Sequence, residues 1–360
     1  MRRPMNIPHD RRSLGGFSLI EIMVGIVIGM IAVLVIYQVY SAAEGIKRNT
    51  TSVGDAQQNG LLSSFMLGVE LANASHGVAD SMRWLAYCNA KPTAATTLSP
   101  IPLVITAGAS AATPDSFVVN YSLAQRRVTP AEVVGTDGTS YIVQSPIGFA
   151  KNDLIIAIPS SAGGDCVASK VSDDPAAVAC PASDQIGCVK VSPAGGTAPA
   201  AFLLDMGPTK GGVQQRVQYD VDNVANVLRS TVLWNSNGLP VADTPNPIAP
   251  NVVNMKLQYG IDTNSDGVLD TWVSADTAPW RPADLLGGAG SALVAQLKTL
   301  KAVRIGIVVR GEQWDKDALD APWSLFGGVY SGTFPRAGGN YRYRTYETVI
   351  PLRNEIWNGS

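Results

Sequence analysis

Histidine is nearly absent from this 360-residue chain: only His9 and His76 occur. No G-x-S-x-G, H-E-x-x-H or P-loop pattern is present, so the groupings that commonly carry nucleophilic, zinc or phosphate chemistry are missing. Charge is scarce too, at 16% of residues with a net of −2, which gives no basic field to attract nucleic acid. These absences predict a protein that is not an enzyme, requires no cofactor and has no nucleic-acid partner. Proline is missing between Pro8 and Pro92, although the chain holds 23 prolines. Proline breaks helix interiors and suits turns and edges, so the gap marks a helical N-terminal arm and the remainder a turn-rich body. Cysteine is confined to Cys88, Cys166, Cys180 and Cys188, with no C-x-x-C and no histidine beside them, which argues against a zinc site.

What is present is a long apolar run near the N-terminus. From Phe17 to Tyr40 the only formal charge is Glu21. As a helix this run would be roughly 36 Å long, enough to cross a bilayer core of about 30 Å. Arg2, Arg3, Arg11 and Arg12 lie ahead of it, so the positive flank predicts a cytoplasmic N-terminus. The run is too long for an ordinary signal peptide, and the small pair Gly15-Gly16 precedes it rather than following it. A carboxylate inside such a helix is costly, which marks Glu21 as functional and in need of a partner. Gly25 and Gly29 form G-x-x-x-G, a spacing that permits close helix approach.

The string Gly16-Phe17-Ser18-Leu19-Ile20-Glu21 resembles the prepilin cleavage and methylation motif of type IV pilins and type II secretion pseudopilins. The resemblance implies cleavage between Gly16 and Phe17 by an inner-membrane prepilin peptidase, followed by N-methylation of Phe17. It also implies that Glu21 pairs with the α-amino group of Phe17 in a neighbouring subunit, a charge pair that offsets the penalty for an isolated charge in a low-dielectric bundle.

The expected fold class is α+β: a long N-terminal pilin helix, its first half embedded in membrane, packed on a β-rich periplasmic head. The segments are a leader over 1–16, a transmembrane half over 17–40, an amphipathic helical arm over 41–91 and the head over 92–360. Within the arm, Ile46, Val53, Leu61, Leu62, Phe65, Met66, Val69 and Leu71 recur at spacings of three, four and seven and predict the core-facing side. Strands are expected at Leu103–Thr106, Ser116–Leu123, Ser140–Gln144, Leu154–Ile158, Val167–Val171, Ala201–Leu204, Val213–Val221 and Val227–Trp234. Further strands are expected at Val252–Asp262, Ala302–Arg310 and Tyr341–Leu352, with a helix at Ala283–Leu300. Residues 160–199, rich in Gly, Ala, Ser, Pro and Cys, read as a surface excursion held by disulfide rather than as core. In an exported domain the four cysteines predict disulfides, with three connectivities open. Cys180 with Cys188 and Cys88 with Cys166 is preferred, because it closes one short loop and ties the helical region to the head.

One loop has ligand spacing. Asp262, Asn264, Asp266 and Asp270 stand at positions 1, 3, 5 and 9 of a D-x-[DN]-x-[DN]-G pattern, with Gly267 at position 6. Such alternation lets oxygens converge on calcium, with the carbonyl of Val268 adding a ligand. Position 12 is Val273 rather than the bidentate glutamate of an EF-hand. The loop therefore has two readings, a calcium site closed by Asp270 or an acidic turn between strands.

Tyr259-Gly260-Ile261-Asp262, the Asp-rich loop at 262–270, Val303-Arg304-Ile305 and the closing Leu352-Arg353-Asn354 resemble the PilW-type minor pilins. The similarity covers the N-terminal helix and roughly residues 250–354. It implies a structural subunit that initiates or primes type IV pilus assembly near the tip and so supports twitching motility. Implied partners are other minor pilins, the major pilin and a tip adhesin, first in the inner membrane with the head in the periplasm and then in the surface pilus. The alternatives are a type II secretion pseudopilin and a calcium-dependent adhesin displayed on the filament.

Overall fold

The computed structural model describes residues 16–76, 87–88, 101–122, 127, 129–161, 164–175, 187–192, 197, 199–208, 214–233, 244–287, 290–314, 321–334 and 341–353. The chain divides into two compact units, Met1–Thr51 and Ser52–Ser360. The long apolar helix and the β-rich body expected of an α+β protein are both present.

The first unit holds the N-terminal part of helix α1, which spans Leu19–Ala72. This part carries a window with mean hydropathy 2.9, none of it buried, so the helix is long and apolar enough to cross a membrane. Its side chains are exposed all round, Leu19 at 75% and Ile36 at 66% among them. That is how a helix without a protein core of its own presents itself to an apolar solvent.

In the second unit the rest of α1 lies on the body. Its buried residues are Ser52, Ala56, Gly60, Ser63, Leu67 and Leu71. Spacings of four, four, three, four and four keep them on one helix face. This corrects the expected stripe: Leu61, Phe65 and Val69 are exposed, Phe65 by 70%. The physical reason is the closeness of the neighbouring sheet. A Cβ added to Gly60 would lie 2.1 Å from Cε2 of Tyr346, and one added to Gly311 would lie 2.1 Å from Oγ of Ser52. Small residues are what let the two backbones approach, so the seam is read from small side chains rather than from large apolar ones. Tyr346 then donates its hydroxyl to the carbonyl of Ala56 at 3.3 Å. The helix also stops earlier than the expected arm boundary at 91. It ends at Ala72, a turn follows over 73–76, and Ser75 adopts a φ of 68°. Backbone bonds from Ser75 N to Asn120 O (2.9 Å) and from Ser122 N to His76 O (2.7 Å) tie that turn to a strand.

The body comprises two open sheets, a closed barrel and a ribbon, all with antiparallel pairing between the described strands. Strands β1 (Leu103–Thr106), β2 (Ser116–Ser122), β9 (Gln214–Asp222), β10 (Val227–Val232) and β11 (Asn246–Pro250) form a five-stranded sheet in that order. Strands β13 (Thr271–Ser274), β12 (Val252–Ile261), β14 (Leu300–Arg310) and β17 (Tyr343–Pro351) form a four-stranded sheet in that order. Strands β15 (Ala321–Leu325) and β16 (Tyr330–Phe334) make a separate ribbon. The expected helix at Ala283–Leu300 is instead two short ones, α2 (Pro282–Gly287) and α3 (Gly290–Lys298), as the Gly-rich stretch between them favours.

The main core joins α1 to both open sheets, with Leu67 and Leu71 packed among Ile105, Phe117, Tyr259 and Ile305. Strand β12 is buried at every position, although it contains Lys256. The ammonium is satisfied by the Ser110 carbonyl at 2.9 Å, the Thr113 carbonyl at 2.7 Å and Asp115 Oδ1 at 2.7 Å. Asp115 also accepts from Gly108 N at 2.8 Å and Leu257 N at 2.9 Å. Burial pushes the Asp115 carboxyl up against these bonds and the Lys256 charge. The pair pins the 107–115 loop to the central strand, and a buried pair of this kind tolerates the loss of neither partner.

Between β2 and β9 the chain makes a closed six-stranded barrel, in the order β3 (Ala131–Thr136), β4 (Ser140–Val143), β7 (Gly187–Ser192), β6 (Val167–Val171), β5 (Asp153–Ile158) and β8 (Phe202–Pro208). Tyr141, Val143, Ile155, Val171, Val189 and Leu203 share one of its cores. The expectation that residues 160–199 form a surface excursion is therefore corrected: β6 and β7 are barrel staves, and Cys188 and Val189 are fully buried. β6 is the strand expected at Val167–Val171, whereas β7 alternates too few apolar residues to stand out until β4 and β6 pair with it.

Replacing Gly60 by Ala should destabilise the protein by about 1–3 kcal/mol through overpacking. Adding Tyr346→Ala should recover much of that loss. Denaturant unfolding of both variants measures the coupling.

Candidate functional site

The N-terminal segment is set by where α1 begins. Gly16 and Phe17 precede the helix, and Phe17 is 80% exposed. The carbonyl of Ser18 accepts from Glu21 N at 3.0 Å and Ile22 N at 3.1 Å, which opens the helical hydrogen-bond ladder. The Gly16–Phe17 bond thus stands just outside the helix. Glu21 lies in the first turn, where the unsatisfied N–H groups favour a carboxylate. The faces of Gly25 and Gly29 are open, with no heavy atom within 4 Å of an added Cβ. The leader up to Gly15 falls outside the described residues.

The Asp-rich segment is the loop of the β12–β13 hairpin, closed by the Ile261–Thr271 pair. Its acidic groups bond within the loop. Asp262, fully buried, accepts from Ser265 N at 2.7 Å through Oδ1 and from Gly267 N at 2.8 Å through Oδ2. Asp266 accepts from Val268 N at 2.7 Å and from the Asn264 side-chain amide at 3.1 Å. Asn264 Oδ1 accepts from Asp266 N at 3.0 Å. Asp270 accepts from Thr263 N at 2.8 Å and Thr263 Oγ1 at 2.6 Å. Gly267 supplies the φ of 85° that the tight turn needs. Among the described residues no three acidic, histidine or cysteine side chains gather closely enough to hold a metal ion. Of the expected calcium set of Asp262, Asn264, Asp266, Val268 and Asp270, the four side chains bond to amide and hydroxyl donors of their own loop. The geometry is that of a self-capped hairpin.

Of the cysteines, Cys88 and Cys166 are bonded, with 5.2 Å between their Cα atoms and 78 residues of sequence separation. Cys88 also forms a bridge with Gly164, so the segment after α1 is fastened to the barrel, as the preferred pairing expected. Cys188 is in a disulfide; Cys180 falls outside the described residues. His76 directs Nδ1 to the Ser122 carbonyl at 2.7 Å, which fits a ring acting as a structural donor at the helix exit.

Sequence reasoning missed the Lys256–Asp115 pair and the small-residue seam of α1. A lone lysine in the apolar run of β12 was the signal for the first. The regular recurrence of Ser52, Ala56, Gly60 and Ser63 was the signal for the second.

Two family models match the chain. Residues 11–37 match the prokaryotic N-terminal methylation motif, and residues 218–354 match the type IV pilus-assembly protein W family. No curated protein matches the chain, and no solved structure matches it. A methylation motif running into a membrane-length helix, followed by a β-rich body, defines a pilin-like, membrane-anchored protein associated with type IV pili. Within that class, residues 218–354, from within β9 to just past β17, are similar to the type IV pilus-assembly protein W family. The barrel, at 131–208, lies outside both matched regions.

Asp262→Ala should destabilise the protein by about 1–3 kcal/mol, since it leaves two amide donors of the turn without their acceptor. Millimolar calcium should leave the melting temperature unchanged; a rise would favour the cation reading. Thr263 holds the Asp270 carboxyl below the ordinary carboxylate range, first through its hydroxyl and then through its amide. A depressed pKa contributes stability that is present above the unfolded value, about 4, and is lost as pH falls through the folded value. Thr263→Val should raise the Asp270 pKa toward that ordinary value, as carboxylate chemical shifts would record.

Proposed function

We propose that this protein is a minor pilin, a structural subunit without enzymatic activity, that initiates or primes type IV pilus assembly near the filament tip. The observation that carries the proposal is the junction at Gly16-Phe17: a cleavage motif immediately before an uncovered apolar helix whose first turn holds Glu21. Prepilin peptidase cuts between Gly16 and Phe17 on the cytoplasmic side, and Phe17 is N-methylated. Until assembly the helix anchors the subunit in the inner membrane, with the head in the periplasm. On assembly the helix leaves the lipid, and Glu21 meets the α-amino group of Phe17 in a neighbouring major or minor pilin. The pairing sets register, because an unpaired carboxylate in that apolar bundle is penalised.

A terminal position is supported by the head. The barrel inserted between β2 and β9 adds bulk that repeating subunits in the middle of a filament would have to accommodate at every step. At an end it can project.

Glu21→Ala should leave membrane insertion intact but reduce incorporation into the pilus about tenfold or more, since removing one member of a buried pair costs on the order of 3 kcal/mol. Immunoblots of sheared pili against membranes measure this. Deletion of the whole chain should sharply reduce surface pili and twitching. Normal piliation in the deletion would overturn the proposal, and lost protein secretion with normal pili would favour the pseudopilin reading.

A further inference from the structure

Lys256 and Asp115 stand in the core, with 2% of each side chain exposed. Nζ of Lys256 lies 2.7 Å from Oδ1 of Asp115. The carboxyl carbon is one bond further on, within the reach of a near-attack pair. The two residues are 141 apart in sequence, Lys256 on β12 and Asp115 in the loop that leads into β2. The ring of Tyr330 lies over Nζ, its centroid 5.2 Å away. A lysine amine held against a carboxyl and away from water is a nucleophile facing an acyl group, so an ion pair is not all that these two groups can make.

The hydrogen bonds aim the nitrogen. Of the three hydrogens on Nζ, one goes to the Ser110 carbonyl at 2.9 Å, one to the Thr113 carbonyl at 2.7 Å and one to Asp115. When the last of these passes to the carboxylate, the other two stay with their carbonyls. The lone pair left behind then faces Asp115. Burial pushes the Asp115 carboxyl up, toward the protonated form that this transfer makes. The carboxyl is meanwhile held by fixed amides, Gly108 N donating to Oδ1 at 2.8 Å and Leu257 N to Oδ2 at 2.9 Å. Preorganised amide donors of this kind stabilise the negative oxygen of a tetrahedral intermediate.

We propose that Lys256 and Asp115 condense into a side-chain amide, a covalent cross-link between β12 and the 107–115 loop. The Nζ–Cγ bond forms, a second Nζ proton joins the hydroxyl made by the first, the Cγ–O bond breaks and one water leaves. No further reactant is needed. The product amide keeps one N–H for a neighbouring carbonyl, and its oxygen keeps an amide donor. Neither buried charge remains, which removes the desolvation penalty of the pair. The structure holds the two groups as they stand before the bond forms.

The test is the intact mass of the full chain, purified in detergent micelles, then denatured with its disulfides reduced. Lys256→Arg is prepared alongside, since it keeps the positive charge without an amine to acylate. The parent should be lighter by one water than its unlinked mass, and Lys256→Arg should show no loss. Trypsin should leave the bond after Lys256 uncut in the parent, and fragmentation should identify a branched peptide joining Lys256 to Asp115. That peptide comes from the parent alone, so the result does not depend on how the variant folds. A parent at full mass, cut by trypsin after Lys256, would overturn the proposal. So would an equal loss of water from Lys256→Arg, which would place the dehydration elsewhere in the chain. Neither outcome bears on piliation, so this inference and the minor-pilin reading fail separately.

Discussion

The ring of Tyr346 lies over Gly60 so closely that no side chain larger than hydrogen fits between them without movement. That contact fixes how far α1 stands from the four-stranded sheet. It lets Ala56, Leu67 and Leu71 enter the main core beside the strands. With the helix held there, the exit turn at Ser75 and His76 reaches Asn120 and Ser122, and β2 gains a backbone tie to the arm. A helix spaced by large residues on the same face would stand off the sheet and leave that core open.

Around this seam the body meets its buried polar groups by local pairing. The Lys256 ammonium and the Asp115 carboxylate satisfy each other and, between them, two carbonyls and two amides. The hairpin loop between β12 and β13 works in the same way, with Asp262 accepting two amides from inside its own turn. In both places a carboxylate does what a longer stretch of regular hydrogen bonding would otherwise do. The disulfide between Cys88 and Cys166 fastens the barrel to the segment after α1 in a fold where β2 and β9 are neighbours and the barrel is looped out between them.

The two units divide the work of a pilin-like protein. Among its described residues the first has no core and exposes its apolar surface in every direction, as a helix that meets an apolar solvent does. The second carries the cores, the disulfide and every strand among the described residues. Glu21 belongs to the first unit, where a carboxylate in the opening turn of a helix is electrostatically favoured but lacks water once inserted. In the proposed assembly role a neighbouring amine relieves this tension and lipid does not.

The amino-acid sequence by itself determined the features that depend on local composition. The apolar run after Gly16-Phe17, the single Glu21, the proline-free arm and the strong strands at Val252–Ile261 and Leu300–Arg310 follow from residue type and spacing alone. Most of the strands in the first part of the head were legible for the same reason. The tertiary structure decided the rest. Which face of α1 is buried depends on the distance to Tyr346, and no periodicity of large apolar residues encodes that distance. Whether residues 160–199 are surface or barrel depends on β7 reaching back to β4 and so closing β5 and β6 into the same barrel. Whether the carboxylates of the Asp262–Asp270 loop meet a cation or their own amides depends on how the hairpin turns. Spacing alone allows both, and the positive φ at Ser265 and Gly267 folds the loop so that the amides come first.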